Sequence, residues 1–309
     1  MKPTNNGSDI IIEEQNSFAQ ATASASAASF LEQLFDNQTV DLPLSASADA
    51  IASASTTTIG LYNSTPIKTA NGADVIKGIG KAESIARAIA SAKVEAIIEA
   101  INNSNIDVSA AATAFAKAVA NATAVGIDSS STISTGNAKD IVVGEATAIG
   151  IAEAIAEASA NISSINDESS TVKLDTFAEA LGTAVVNAEA IGIRGGKYDL
   201  GNGSDIIRAS ATGVGLNMGV KDVLIDGGRG SDTFDLQSGT GEVIGGKGND
   251  LLVLEGSMTD YTFTTLDLKL GVNIQDSNNN TDLFVSGVEE FKFVADSDIT
   301  YKYADLVFT

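Results

Sequence analysis

Alanine alternates along this chain. Between Lys81 and Gly126 there are 16 alanines, 15 of them at even positions, and between Ile141 and Gly192 there are 12, all even. An α-helix repeats every 3.6 residues and imposes no parity, whereas successive residues of a strand point to opposite faces. The pattern predicts long strands with one face of alanine and glycine, as in Ala122-Thr-Ala124-Val-Gly126 and Ala188-Glu-Ala190-Ile-Gly192. Such faces would let two sheets approach more closely than the usual spacing of about 10 Å. Ala209-Ser-Ala211-Thr-Gly213-Val-Gly215 runs straight into a glycine turn and leaves no room for a helix. A second reading stays open beside this one. The segment from Ser84 to Ile101 is rich in good helix formers, and Phe177, Leu181 and Val185 follow at i, i+4 and i+8. On that reading an Ala-rich helical hairpin is inserted in each module.

The alternation is organised into repeats. Ile59-Gly60-Leu61, Val125-Gly126-Ile127 and Ile191-Gly192-Ile193 stand 66 residues apart at each step, as do Leu42, Val108 and Leu174. The turn-like segments Asn6-Gly7-Ser8-Asp9-Ile10-Ile11, Asn71-Gly-Ala-Asp74-Val-Ile, Gly136-Asn-Ala-Lys-Asp140-Ile-Val and Asn202-Gly-Ser-Asp205-Ile-Ile recur at 65, 66 and 65 residues. Each module also divides near its middle, Asn63-Ser-Thr-Pro66-Ile being echoed by Asn103-Ser-Asn-Ile106. Self-similarity of this kind marks units that bury a core only against their neighbours. The expectation is a mainly β protein, a repetitive β-solenoid or β-roll with long Ala-alternating strands. Residues 1–205 would form three 66-residue modules, 206–255 a contracted roll, and 256–309 a C-terminal β cap. In that last segment Asp260-Tyr-Thr-Phe-Thr, Phe291-Lys-Phe293 and Tyr301-Lys-Tyr303 replace the alanine pattern. A cap would cover an edge that an open stack leaves bare.

Charge and composition narrow the chemistry. Forty Asp and Glu face 18 Lys and Arg, for a formal net charge of -22. A field of that sign repels nucleic acid and anionic membrane surfaces and favours cations. The chain has no Cys, His or Trp, which removes disulfides, His- or thiol-based nucleophiles and the usual zinc sites. Zinc proteases and Ser-His lipases are therefore excluded. Glu289-Glu290 is read as a solvated pair rather than as glycosidase carboxylates, and no enzyme is expected. No run of about 18 apolar residues occurs, so no membrane insertion is expected. No apolar run follows Lys2 in Met1–Asp9, which predicts no cleavable secretory signal.

Beyond Asp205 the spacing contracts to 27 residues, to Asp232, and then to 18, to Asp250. The last two turns read Gly227-Gly228-Arg-Gly230-Ser-Asp232-Thr-Phe-Asp and Gly245-Gly246-Lys-Gly248-Asn-Asp250-Leu-Leu-Val. Both match G-G-x-G-x-D-x-U-x, the nonapeptide of calcium-binding RTX β-rolls. The spelling has a physical basis: glycine tolerates the positive φ of a tight turn whose carbonyls face inward. The aspartate adds a hard carboxylate oxygen, and stacked turns assemble the roughly six to eight oxygens that Ca²⁺ prefers. The expected metal site is therefore Asp232 and Asp250 as carboxylate ligands, with Gly228, Gly230, Gly246 and Gly248 supplying turns and backbone carbonyls. Asp205, Asp74 and Asp9 are weaker candidates, because their turns lack the leading Gly-Gly and Asn-Gly pairs turn without any metal. Asp140, preceded by Lys139, is the weakest.

With Val285-Ser-Gly-Val-Glu-Glu-Phe-Lys-Phe293 and Ala304-Asp-Leu-Val behind the nonapeptides, the C-terminal part resembles RTX proteins exported by type I secretion. The Ala-alternating modules resemble repeats of cyanobacterial RTX-type surface proteins. The resemblance implies calcium-linked folding outside the cell or at its surface, and the type I secretion machinery as a partner. It identifies a scaffold rather than an activity. The expected function is a non-catalytic extracellular calcium-binding structural protein that self-assembles into a filament, sheath or coat. Asn6, Gly7, Ser8, Asp9, Ile10 and Ile11 would form the edge of a head-to-tail contact. The alternative is a secreted RTX adhesin or binding module acting as a monomer.

Overall fold

The structure, a computed structural model, describes residues 7–69, 71–267, 271–276, 281–297 and 299–307. Asn6 lies outside them. The first module lays down β1 (Ile10–Asp36), β2 (Thr39–Asn63) and the short β3 (Ile67–Lys68). The second repeats this as β4 (Val75–Ile101), β5 (Asn105–Ser129) and β6 (Thr132–Ser134), the third as β7 (Ile141–Asn166), β8 (Thr171–Arg194) and β9 (Lys197–Asp199). The strands then shorten to β10 (Ile206–Gly213), β11 (Leu216–Asp226), β12 (Thr233–Gln237), β13 (Gly239–Ile244) and β14 (Leu251–Leu254). The chain ends in β15 (Thr262–Asp267), β16 (Gly271–Asp276), β17 (Thr281–Ser286), β18 (Glu290–Phe293), β19 (Thr300–Lys302) and a short helix α1 (Tyr303–Val307).

The Ala-rich segments are therefore strands, and the helical-hairpin alternative is corrected. Helix propensity was outweighed by a tertiary demand, burial of every second residue between two sheets. One sheet runs β1-β4-β7-β10-β12-β14-β18-β19 and the other β2-β5-β8-β11-β13-β17-β16-β15, while β3, β6 and β9 form a side ladder. Pairing is parallel from β1 to β18 and from β2 to β17, then antiparallel through β16, β15 and β19. Ile10 lies opposite Val75, Val75 opposite Ile141 and Ile141 opposite Ile206, so the sequence repeat is the ladder register. A slip of one residue would turn every inward alanine to solvent, which pins that register firmly. Cross-strand pairs on the outer face agree with it, Lys77 with Glu145 at 2.8 Å and Arg194 with Asp128 at 2.7 Å. The two halves of a module are not equivalent, because only the end that returns to the first sheet carries the side ladder.

The inner faces meet at very short range. Ala86, Ala88, Ala90, Ala112, Ala116, Ala118 and Ala120 are completely buried, drawn from both sheets into one cluster. Larger side chains sit at the two ends, Phe35, Ile98, Ile106 and Val108 beside one turn and Leu61, Ile76, Ile127 and Ile193 beside the other. Next to that second group the spacing closes to backbone contact. A Cβ on Gly126 would sit 2.5 Å from the Gly192 carbonyl oxygen and against the Glu145 amide. In the contracted part Phe234, Leu236, Leu252, Phe291 and Phe293 take over the core, closed by rings of Tyr261, Phe263, Phe293 and Tyr301.

These contacts separate two glycine substitutions. Gly126→Ala meets backbone of two strands and should cost about 2 kcal/mol or more, in the range of core overpacking. A Cβ on Gly150 would meet chiefly a Val186 side-chain methyl, at 2.5 Å, so Gly150→Ala should cost clearly less. Urea midpoints of the two variants check this ordering.

Candidate functional site

The residue that precedes each parallel strand of the first sheet, β1 to β18, is acidic: Asp9, Asp74, Asp140, Asp205, Asp232, Asp250 and Glu289. Parallel pairing brings them into single file at the strand spacing of about 4.8 Å. The link is the same at every step. Asp9 N–H donates to Asp74 Oδ1 at 2.7 Å, and the N–H groups of Asp74, Asp140, Asp205 and Asp232 donate to Oδ1 of the next aspartate at 2.8 Å. Asp250 N–H donates to Glu289 Oε2 at 2.9 Å and ends the series.

The second carboxylate oxygen is the chemically open one. Asp74, Asp140, Asp205, Asp232 and Asp250 are at most 1 % exposed, and Oδ2 of each is buried with no hydrogen-bond partner. The Thr135 hydroxyl, close to Asp140, donates instead to the Leu200 carbonyl at 2.9 Å. Each nonapeptide turn wraps its own aspartate. Asp232 Oδ2 lies against Gly227 and Asp250 Oδ2 against Gly245, where an added Cβ would come within 2.6 and 2.8 Å.

The motif glycines are required twice over. Gly228 and Gly246 have φ of 88° and 105°, Gly230 and Gly248 of 139° and 147°, values that L side chains avoid. A Cβ on Gly230 or Gly248 would also occupy the place of the carbonyl oxygen of Gly203 or Gly230 in the preceding turn. Arg229 N–H donates to the Gly201 carbonyl at 2.8 Å and Lys247 N–H to the Gly228 carbonyl at 2.9 Å, so the turns are laddered too. Outside the file Asn71, Asn137 and Asn202 are linked through their side-chain amides, and Arg229 and Lys247 take that position in the nonapeptide turns.

Like charges about 4.8 Å apart repel by about 3 kcal/mol per neighbouring pair at an effective dielectric of about 20, and burial penalises each charge further. The titration follows. Burial pushes Asp205 up to about 7 and Asp232 up to about 6, with the neighbouring carboxylates adding to both. Asp140 and Asp250 are raised for the same main reason. Such a file needs protons or cations. Its donors are all hard oxygens, and the orphaned Oδ2 atoms fit an oxygen-seeking divalent ion such as Ca²⁺. Among the described residues no three acidic side chains converge on one point. A cation held here would meet these carboxylates in succession rather than as one cluster.

Asp232 and Asp250 are thus brought together, and Asp205, Asp74 and Asp9 join the same file. Asp140 holds an equal place in it, and Glu289 ends it. The Asp140 signal was the 65- and 66-residue spacing ahead of Ile141-Val142, which the neighbouring Lys139 obscured. Glu289 stands 39 residues after Asp250, off the motif spacing, and only the pairing of β14 with β18 places it. The chain matches no known family model and no curated protein.

The buried file fixes the sign of a pH effect. A carboxylate raised in the folded state binds its proton more tightly there, so stability is full below the ordinary value near 3.8 and declines as pH rises through about 6 to 7. With chelator present, the unfolding midpoint should therefore fall between pH 4.5 and pH 7.5. Asp232→Asn keeps the Oδ1 acceptor and removes the charge, so at pH 7.5 in chelator it should stabilise by about 1–3 kcal/mol. In calcium the order should reverse if Asp232 is a calcium ligand, because the substitution then removes one. Calorimetry of both proteins in both conditions reads the two signs.

Proposed function

We propose that this chain is a non-catalytic, extracellular, calcium-binding structural protein of the RTX type, whose modules wind as a β-solenoid and whose contracted part is a β-roll. The observation that carries the reading is the carboxylate file, in which Asp74, Asp140, Asp205, Asp232 and Asp250 are buried and each keep one oxygen without a hydrogen-bond partner. Asp232 and Asp250 with Gly228, Gly230, Gly246 and Gly248 are the primary site, and Asp205, Asp140 and Asp74 extend it. Calcium neutralises the file, so the chain is held weakly folded where calcium is scarce and locks where it is plentiful. That dependence suits export through type I secretion as an unfolded chain, with β15 to β19 closing the end of the roll. It also suits an extracellular or cell-surface location. Among the described residues no helix is long and apolar enough to cross a membrane.

The modules offer length and regularity rather than a catalytic cleft, and the role is that of a building block of a filament, sheath or coat, with the chain itself as its main partner. The test is the purified protein in chelator and in millimolar calcium at pH 7.5. Calcium at about 100 times its dissociation constant should add about 2.7 kcal/mol per site, with binding heat by titration calorimetry. Negative-stain microscopy should then show ordered assemblies with a β-type circular dichroism spectrum. Absence of binding heat and an unmoved midpoint would sink the calcium reading. Calcium-bound protein that stays monomeric would favour a secreted binding module instead.

A further inference from the structure

The contraction after the third module leaves a step. β10 covers β7 only from Ile141 to Ala148, and β11 covers β8 only from Glu189 to Arg194. The remainder of both strands, 149–166 and 171–188, is paired on one side, to β4 and β5, and open on the other. This ledge is internal to the chain and joined at its far end by the turn 167–170. The inner face pays for the missing neighbour in exposure: Ala178, Ala180 and Ala184 are exposed, while Ala112, Ala114 and Ala118, on the adjacent strand, are buried. Leu174, also on the inner face, is 40 % exposed, and on the outer face of the same strands Ile149, Ile151, Ile165, Phe177 and Leu181 are exposed between 38 and 66 %. At the inner corner lies a depression of about 430 Å³ lined by Val186, Asn187, Glu189, Gly215 and Leu216.

Long flat edges are normally blunted by proline, inward charge or bulges. The opposite edge of the sheets has two such devices, Glu13 at an inward position of β1, opposite Gly78, and Pro43 in β2. The ledge has none. Its inward positions on β7 are Gly150, Ala152, Ala154, Ala156, Ala158 and Ala160, without a charge, and its ladders run without a bulge.

We infer that the ledge is a two-fold interface on which a second copy of this chain adds its own ledge, β7 to β7 and β8 to β8, antiparallel. Two observations choose this occupant. An incoming pair of strands must keep the close spacing that alanine and glycine set, so it needs alanine-faced strands joined by a short turn, which this chain itself carries. A parallel continuation is blocked, because the places beside Ile141–Ala148 and Glu189–Arg194 are already taken by β10 and β11. Antiparallel docking sets the narrow part of each copy beyond the other's turn at 167–170, so two stepped outlines close on each other. Antiparallel edges pair readily, and a contact of this kind is self-complementary. The inference deepens the self-assembly half of the proposed function and does not rest on the calcium half.

The full chain, at increasing concentration and moderate salt to screen its charge, should sediment at twice 31.4 kDa. Ala180→Lys, at a position exposed in the single copy, should weaken the dimer at least tenfold with an unchanged circular dichroism spectrum. Because the chain has no cysteine, Ala158→Cys near the centre of the ledge should cross-link on oxidation, and Ser24→Cys on β1 should not. If Ala180→Lys fails to fold, the cysteine pair decides alone. A wild-type chain that is monomeric throughout, or cross-linking at Ser24→Cys instead of Ala158→Cys, would overturn the ledge, and either result leaves calcium-dependent stabilisation to be judged separately.

Discussion

Everything in this protein depends on how little room there is between its two sheets. An inward position in the long modules accepts alanine, at some points only glycine, because the opposing backbone lies where a larger side chain would go. A core of methyl groups buries little apolar area per residue, at roughly 25 cal/mol per Å². The modules compensate by length and by backbone pairing, with β1, β4 and β7 in register over nearly their whole extent. Apart from Val94 and Val186, larger side chains are concentrated at the two ends and in the contracted part, where Phe234, Leu236, Phe291 and Phe293 make a conventional core.

The same regularity creates the carboxylate file. Once parallel strands are held in register, whatever residue precedes one strand lies beside its counterpart on the next. Aspartate in that position supplies an acceptor for the neighbouring N–H and so helps to align the modules. Its other oxygen is carried into the interior without a partner. One residue type thus both orders the ladder and loads it with charge. Neutralisation by protons or by a divalent cation becomes a condition of the fold's full stability.

The shortening of the strands after Arg194 has a comparable double consequence. It leads into the glycine turns of the nonapeptides, whose positive φ values and close approach continue those of Gly136 and Gly201 in the longer rounds. It also uncovers the outer reaches of β7 and β8. A ladder that narrows must leave an edge, and this one is left apolar on its inner side.

Much of this was legible in the chain itself. Alanine parity pointed to strands in the second and third modules, because period two and period 3.6 are incompatible over such lengths, although the helix propensity of the same segments kept a helical hairpin open. The 65- and 66-residue spacings are the register of the ladders, and the glycines of 227–248 marked the tight turns that the structure contains. The place of Asp140 was visible in the spacing and was discounted for its neighbour, Lys139. Other features depend on which strand lies beside which. Glu289 ends the file only because β18 pairs with β14, and the orphaned oxygens follow from burial by turns distant in sequence. The ledge arises where one long strand is followed by a short one. Periodicity along a chain determines which face a residue takes, since that is a local property of the backbone. What covers that face is decided by neighbours that only the assembled sheets bring together.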